Sequence, residues 1–207
     1  MKTLPFLPQH FLEISKHLNM GLPIILPTET SYGFSGNITS KTAIHAVELI
    51  KNRNNKKDKA FLILVDSFTT LKNFSDISEL SKENINYIKK NSNFFEFNSK
   101  NKPTTFILKK NIKNHPFLQN YFSNFKHIGI RVPQYAPLIG FLKNHNTPLF
   151  STSANFSKQL PIYKKEDIIK NFSNIPNLLF VDAGDLQKNP PSSIIQFNKD
   201  GELIRLR

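Results

Sequence analysis

The sequence predicts an α/β protein, a twisted mixed β-sheet with flanking helices. Two observations predict this class. Segments with apolar residues at helical spacing alternate along the chain with short apolar runs of strand length. The first of these runs, residues 24–26, contains only large or β-branched side chains and no polar alternation. That composition is typical of a strand covered on both faces, as in α/β sheets.

The individual elements follow from the same patterns. Apolar spacing predicts a helix over residues 10–20 with Gly21 as its C-terminal cap, and the strand at residues 24–26 ends at Pro27, which lacks an N–H for a sheet. Ser40 is the expected N-cap of the next helix. The remaining elements are predicted as helices at residues 78–90, 137–144 and 166–172, a short helix opening at 115–117, strands at 60–65, 104–108, 128–132, 149–150, 178–181 and 193–197, and a hairpin from 198–201 into 202–206.

Hydroxyl side chains are concentrated directly after two of the predicted strands. Ligands of open α/β sheets bind at strand ends, so these clusters are candidate binding loops. The same residue types form ordinary polar turns, and the first cluster alone leaves both interpretations open. The clusters are Thr28, Thr30, Ser31 and Tyr32 after the first strand, and Ser151, Thr152 and Ser153, with Asn155, after the strand at 149–150.

Composition excludes several kinds of site. The 207 residues contain no cysteine, which excludes a disulfide, a zinc site with thiolate ligands and a cysteine nucleophile. The six histidines lack the spacing of metal ligands, and we predict no metal-binding residues. The net charge of +13 could serve an RNA or nucleotide partner, but the lysines are dispersed. Their only dense cluster, at residues 51–59, favours a local anion site over general RNA binding.

The expected location is the cytoplasm. No apolar run approaches the ~20 residues that a membrane span needs. Residues 1–10 lack the cationic and long apolar segments of a secretory signal. We therefore expect no membrane contact. A chain of 207 residues without a visible linker is expected to form one domain over residues 1–207.

Three cations are candidates for an anion site. Lys51 and Arg53 follow the second helix, where positive charge also complements the negative helix end without any ligand. Arg131 lies in an apolar strand, where an unpaired charge is costly, so a binding site and a buried ion pair are the two alternatives. No P-loop or dinucleotide-binding glycine pattern accompanies these residues.

Five motifs in order along the chain resemble the YrdC/Sua5 family, in its short form without an additional C-terminal domain. The motifs are residues 27–33, Lys51-x-Arg53, Arg131-Val132-Pro133, residues 151–155, and Pro191-Ser192-Ser193 together with Arg205. The resemblance implies a sheet with a concave basic ligand cleft. It also implies synthesis of threonylcarbamoyl-adenylate and pyrophosphate from L-threonine, bicarbonate and ATP, which requires no covalent enzyme nucleophile. The product serves N6-threonylcarbamoyladenosine formation at position 37 of tRNA.

The resemblance also implies a role for each matching residue. Catalysis is expected from Lys51 and Arg53. The implied partners are a tRNA-modifying threonylcarbamoyl-transferase complex and tRNA itself, and Mg²⁺ is the implied cofactor. The implied ATP contacts are Lys51, Arg53, Lys59, Ser153, Asn155 and Arg205, and the implied threonine contacts are Thr28, Thr30, Tyr32, Arg131 and Ser192.

The sequence departs from the family pattern at four places. Residues 101–105 replace a Pro-Gly-Pro turn before a strand, Ser193 replaces a threonine, and Lys158 and Leu206 stand where glycine is usual. None of these changes removes a charged group, so they affect loop geometry rather than chemistry.

Two alternatives come from outside this reaction. The charge is consistent with a non-catalytic module that binds double-stranded RNA or tRNA, although the chain lacks an aromatic RNA-binding signature. The other alternative is the carbamoyl-transfer domain of hydrogenase maturation proteins. The absence of cysteine zinc motifs argues against that domain.

Overall fold

Eleven strands form one mixed sheet in a computed structural model that describes residues 1–52, 61–93, 102–113, 116–157 and 159–207. Their order in the sheet is β1-β9-β2-β3-β8-β4-β7-β6-β10-β11, with β5 paired to β6. The strands are β1 (Lys2–Pro5), β2 (Ile24–Pro27), β3 (Tyr32–Asn37), β4 (Leu62–Leu64), β5 (Ser75–Asp76), β6 (Thr104–Lys110), β7 (His127–Arg131), β8 (Leu149–Ser153), β9 (Leu179–Asp182), β10 (Ser193–Phe197) and β11 (Leu203–Arg205).

Helices cover both faces of this sheet, as predicted. A 3₁₀ turn at Pro8–His10 leads into the first of them. The helices are α1 (Phe11–Asn19), α2 (Lys41–Ile50), α3 (Phe68–Phe74), α4 (Lys82–Asn91), α5 (Pro116–Tyr121), α6 (Ala136–His145) and α7 (Lys165–Phe172).

The predicted caps and most of the predicted elements are confirmed. Gly21 follows α1 with a φ of 77°, a conformation that glycine adopts without strain. The Ser40 hydroxyl accepts a hydrogen bond from the Ala43 N–H at 3.0 Å and caps α2. The helix predicted from residue 78 begins at Lys82, because Ser81 is its N-cap. The elements β1, β3, α3 and β5 were not predicted.

Strand β2 is buried on both faces, as its unbroken apolar run predicted. Ile24 and Leu26 belong to a cluster with side chains of α1 and α6, whereas Ile25 faces the opposite side in the larger cluster. The larger cluster includes residues of α2, α3, α4, α5 and α7. Because consecutive side chains of a strand point to opposite faces, one short run serves both cores.

Helix α2 packs unusually close to strand β3 at Gly36. A Cβ atom on Gly36 would lie 2.6 Å from Phe150 Cε1 and 2.8 Å from the Ala43 Cβ. Only glycine therefore permits this approach. The close packing fixes the first turn of α2 relative to β3 and β8.

Across the described ranges, no helix combines the length and the apolar character that a membrane span requires.

Candidate active site

A cavity of about 330 Å³ lies across the sheet between the β2–β3 turn and the start of β10. Ligand pockets typically enclose ~300–1,000 Å³. Hydroxyl groups and two guanidinium groups provide most of its polar wall. The lining residues are Thr28, Thr30, Ser31, Gly33, Leu62, Arg131, Ser151, Thr152, Ser153, Pro161, Tyr163, Pro191, Ser192 and Arg207.

The β2–β3 turn forms one side of the cavity. The antiparallel strands pair as far as Pro27, which leaves residues 28–31 in the turn. The Thr28 hydroxyl accepts hydrogen bonds from the N–H groups of Thr30 and Ser31, each at 3.2 Å, and donates to the Ser31 main-chain oxygen at 2.7 Å. The stretch is thus an ordered polar turn and a cavity wall at once, which reconciles the two interpretations that the sequence left open.

Arg131 lies at the end of β7 and faces the cavity beside a buried carboxylate. Its Nε atom is 3.5 Å from Glu29 Oε1, and the side chains of Arg131 and Glu29 are 5% and 1% exposed. The two charges attract each other, but the geometry is not that of a hydrogen bond. The sequence left a binding site and a buried ion pair as alternatives for Arg131, and its placement is compatible with both.

Ser192 is held in place between β6 and the chain after β11. Its hydroxyl lies 3.1 Å from the Thr105 hydroxyl. The Arg207 guanidinium donates to the Ser192 main-chain oxygen from Nε at 3.1 Å and to the Ser192 hydroxyl from Nη2 at 3.3 Å. Ser192 and Arg207 therefore form one hydrogen-bonded wall of the cavity.

Arg207 and not Arg205 lines the cavity, and the nucleotide contact of Arg205 remains a prediction. In the β10–β11 hairpin Arg205 pairs with Ile195, and its side chain is exposed. The cavity lies beyond the end of the ladder at which Arg205 pairs with Ile195, next to Ser192, and the chain reaches it two residues later at Arg207. Two residues of a strand span about 7 Å, which is enough to remove Arg205 from the cavity wall.

The two arginines of the cavity influence each other. Burial lowers the pKa of the Arg207 guanidinium, and the positive charge of Arg131 lowers the pKa further. This repulsion is relieved when an anion lies near both groups. The cavity is therefore suited to a ligand that carries negative charge.

The catalytic and phosphate roles of Lys51 remain predictions, and the structure gives its side chain partners in the protein itself. Its ammonium group lies behind the cavity wall, and the residue is only 3% exposed. The Nζ atom donates to the main-chain oxygens of Ser153 and Asn155, both at 2.7 Å, and to Asn155 Oδ1 at 2.9 Å. An ammonium has three N–H groups, and these three oxygens match them in number. Lys51 thus supports the turn after β8 and does not face the cavity.

Asn155 was predicted to contact the nucleotide, but its side chain serves the same turn. Its Oδ1 atom also accepts from the Ser153 hydroxyl at 2.5 Å. Its Nδ2 atom donates to the main-chain oxygen of Gln159, and the residue is 7% exposed. Of the two predicted residues, only Ser153 lines the cavity.

Tyr32 was predicted to border the threonine pocket, but its ring is fully buried in the core. Its hydroxyl donates to the Gly184 main-chain oxygen at 2.6 Å and accepts from the Ala183 N–H at 3.1 Å. Burial raises the pKa of Tyr32 to about 12. Tyr32 therefore holds the turn after β9, and it contributes no atom to the cavity wall.

Three of the sequence-based predictions fall outside the described residues. These are the catalytic and phosphate contacts of Arg53, the phosphate contact of Lys59 and the effect of Lys158. The roles of Arg53 and Lys59 remain predictions. The structure does bring together Thr28, Thr30, Arg131, Ser153 and Ser192 from separate motifs.

Mg²⁺ finds no ligand set among the described side chains. No group of three or more histidine or carboxylate residues comes together in that part of the chain. Mg²⁺ is normally bound through at least one carboxylate. The Glu29 carboxylate is buried beside Arg131 and does not line the cavity. The described residues therefore show no cluster that would hold Mg²⁺ without a substrate, and the cofactor remains a prediction.

Several cavity residues received no individual role from the sequence, although the predicted hydroxyl clusters include Ser31, Ser151 and Thr152. Ser31, Ser151, Thr152 and Pro191 belong to the quoted motifs, so the sequence signal was present although no role was assigned. Pro161 and Tyr163 lie between β8 and α7 in a stretch with no periodic pattern. Nothing in that stretch marks them as site residues.

Comparison with known proteins identifies relatives over nearly the whole chain. The model of the Sua5/YciO/YrdC family, described as telomere recombination, matches residues 16–207. A relative from Buchnera aphidicola (subsp. Schizaphis graminum), named threonylcarbamoyl-AMP synthase, is 28% identical over 182 residues, which cover 88% of this chain and 87% of the relative.

Solved structures share the fold. E. coli YciO superimposes with a TM-score of 0.77 at 20% identity, over 100% of this chain and 93% of YciO. P. abyssi Sua5, in a structure with L-threonine, superimposes with a TM-score of 0.78 at 18% identity. That match covers 100% of this chain but only 56% of Sua5, so the chain spans just over half of Sua5. The family match over residues 16–207 confirms the resemblance found in the motifs: the chain belongs to the Sua5/YciO/YrdC family.

Proposed function

We propose that the protein is a threonylcarbamoyl-AMP synthase, which makes threonylcarbamoyl-AMP and pyrophosphate from L-threonine, bicarbonate and ATP. The observation that carries the proposal is the cavity that joins Arg131, Arg207 and hydroxyl groups of three family motifs. The names of the relatives, which match most of this chain, support it.

Arg131 is the proposed contact for the carboxylate of threonine. Its Nε atom faces Glu29, whereas its terminal nitrogens make no hydrogen bond to any described residue. A guanidinium edge with two N–H donors matches the two oxygens of a carboxylate. Thr30 and Ser192, which also line the cavity, supply hydroxyl groups for the threonine side chain and its carbamate.

Arg207 and Ser153 are the proposed contacts for the nucleotide. Both line the cavity, and Arg207 supplies fixed positive charge where phosphate oxygens would lie. Lys51 contributes indirectly, because it holds the Ser153 and Asn155 main-chain oxygens. Arg53 and Lys59 are proposed to add phosphate contacts from outside the described residues.

The reaction needs orientation and charge more than a reactive side chain. A carbamate oxygen of N-carboxythreonine attacks the α-phosphorus of ATP, the new P–O bond forms, and the bond to the β-phosphate oxygen breaks as pyrophosphate leaves. Holding the carbamate and the phosphorus in line removes much of the entropic barrier. Fixed donors around the phosphates stabilise the charge that develops there.

We further propose that the product passes to a partner complex that transfers the threonylcarbamoyl group to adenosine 37 of tRNA. Contact between this chain and tRNA, and the cytoplasmic location, remain predictions. The non-catalytic RNA-binding alternative is not favoured, since the relatives carry an enzyme name.

Pyrophosphate release by the purified full chain tests the proposal. We expect release that requires ATP, bicarbonate and L-threonine together, and slower release with L-serine, which lacks the methyl group. Release independent of the amino acid would contradict it. Binding of double-stranded RNA with no turnover in any amino acid would instead favour the RNA-binding module.

A further inference from the structure

Glu29 places a carboxylate in an unfavourable position next to the cavity. Its side chain is 1% exposed, and neither carboxylate oxygen accepts a hydrogen bond from any described residue. Its main chain is fixed independently, because Asn189 Nδ2 donates to the Glu29 main-chain oxygen at 2.9 Å. A buried charge without hydrogen bonds is costly unless an opposite charge compensates it. The one charged group in range among the described residues is Arg131, whose Nε lies 3.5 Å away.

The contact orients the guanidinium of Arg131. A guanidinium is planar and rigid, so fixing the direction of its Nε atom also fixes the direction of its two terminal nitrogens. Here Nε faces the buried Glu29, while the side chain of Arg131 also reaches the cavity wall. The edge that remains for a ligand is the one with two terminal nitrogens, which suits a carboxylate.

We infer that Glu29 is a positioning residue, which holds Arg131 so that its terminal nitrogens face the carboxylate of the amino acid substrate. The inference rests on the proposed function for the identity of that substrate. Glu29 contributes no atom to the cavity wall, so it acts through Arg131 and not by contact with the ligand.

A purely structural role would give a different result. Removing one partner of a buried ion pair leaves the other charge uncompensated, so Glu29→Gln should lower the free energy of unfolding whatever the role of Glu29. A positioning role adds an effect that lost stability does not explain: the folded variant, which keeps the shape of the side chain, binds L-threonine more weakly.

The test measures the Kd for L-threonine by equilibrium dialysis and the KM for ATP from pyrophosphate release. For Glu29→Gln we expect the threonine Kd to rise about tenfold or more and the ATP KM to stay within about twofold. Glu29→Asp keeps the charge and should restore part of the affinity. Glu13→Gln is the matched control, because Glu13 is an exposed carboxylate on α1 that pairs with Lys2 of β1. It should change neither value.

A double-mutant cycle shows whether Glu29 acts through Arg131. In an Arg131→Lys background, the Glu29→Gln change should have a much smaller effect on the threonine Kd than in the wild type. Equal effects in both backgrounds would overturn the inference. A parallel rise of the threonine Kd and the ATP KM would overturn it as well.

The crystal structure of Glu29→Gln separates this inference from the proposed function. If the wild type binds no threonine, the proposed function fails, but the orientation of Arg131 in the variant still decides the role of Glu29. A rotated guanidinium supports the inference. A guanidinium in the wild-type orientation overturns it.

Discussion

The side chain of Lys51 donates hydrogen bonds to Asn155, which lies 104 positions later in the chain. The Nζ atom of Lys51 is 2.7 Å from the Asn155 main-chain oxygen and 2.9 Å from its Oδ1 atom. The contact joins the end of α2 to the turn after β8. Lys51 therefore supports a cavity wall, and the phosphate contact indicated by the motif remains a prediction.

Replacing Lys51 should therefore destabilise the protein as well as weaken the nucleotide site. Lys51→Met keeps the apolar stem and removes the donor. Each buried acceptor left without a partner costs about 1–3 kcal/mol, and we expect a total loss of roughly 3 kcal/mol in the free energy of unfolding. Urea denaturation of both proteins measures it.

Lys16→Met is the matched control, because Lys16 is an exposed lysine on helix α1. Its free energy of unfolding should stay within about 0.5 kcal/mol of the wild type. If Lys51→Met unfolded at the wild-type urea concentration and raised only the ATP KM, Lys51 would be a phosphate contact after all.

Arg131→Lys should raise the threonine KM by about tenfold to a hundredfold, since a lysine cannot make the two-pronged contact of a guanidinium. We expect a much smaller change in the ATP KM. Steady-state pyrophosphate release at varied threonine and at varied ATP separates the two values. An ATP KM that rises as much as the threonine KM would place Arg131 at the nucleotide.

Arg205 and Arg207 form a natural matched pair. Arg207 lines the cavity and bonds Ser192, whereas Arg205 is exposed on β11. We expect Arg207→Gln to raise the ATP KM about tenfold and Arg205→Gln to change it by less than about twofold. If Arg205→Gln instead raised the ATP KM more than Arg207→Gln in the same assay, Arg205 would be the nucleotide contact, as the motif indicated. The final hairpin would then need a different register.

Tyr32 predicts a pH dependence of stability. Its pKa is raised from 10.0 to about 12 in the folded state. The folded protein therefore keeps a proton that the unfolded chain loses, and the contribution of Tyr32 is complete below pH 10 and is lost as pH rises from 10 to about 12. The loss should be roughly 2–3 kcal/mol, at about 1.4 kcal/mol for each pKa unit.

Tyr32→Phe isolates the contribution of this phenol to the pH dependence of stability. The difference in the free energy of unfolding between wild type and variant should shrink from pH 10 towards pH 12, when urea denaturation is repeated at each pH. If this difference in the free energy of unfolding stayed constant over that range, the pKa of Tyr32 would not change on folding.

Periodicity and caps predicted most elements because the information is local. Ser40 and Gly21 mark helix ends through bonds to close neighbours, and the run at residues 24–26 shows its burial directly. Strand β3 was not predicted because Gly33, Ser35 and Gly36 resemble a loop in composition. The two glycines are required by packing against β8 and α2, which the sequence of β3 alone does not reveal.

The site was predictable as a set of motifs but not in its geometry. The motifs named five residues that the cavity does bring together. The positions of Lys51 and Tyr32 depend on partners more than 100 residues away, so no local pattern reveals them. Whether Arg205 or Arg207 reaches the cavity depends on the register of the β10–β11 hairpin. The two arginines are two residues apart, so the alternation of a strand does not distinguish them.

The most direct test of the central claim is to identify the product by mass spectrometry. The full chain is incubated with ATP, L-threonine and ¹³C-labelled bicarbonate, and the adenylate is isolated. The proposal predicts threonylcarbamoyl-AMP with one ¹³C atom in its carbamoyl group, and a sharply lower yield from Arg131→Lys. The proposal would be contradicted if the adenylate contained threonine but no labelled carbon. It would also be contradicted if the ATP stayed intact and no adenylate formed.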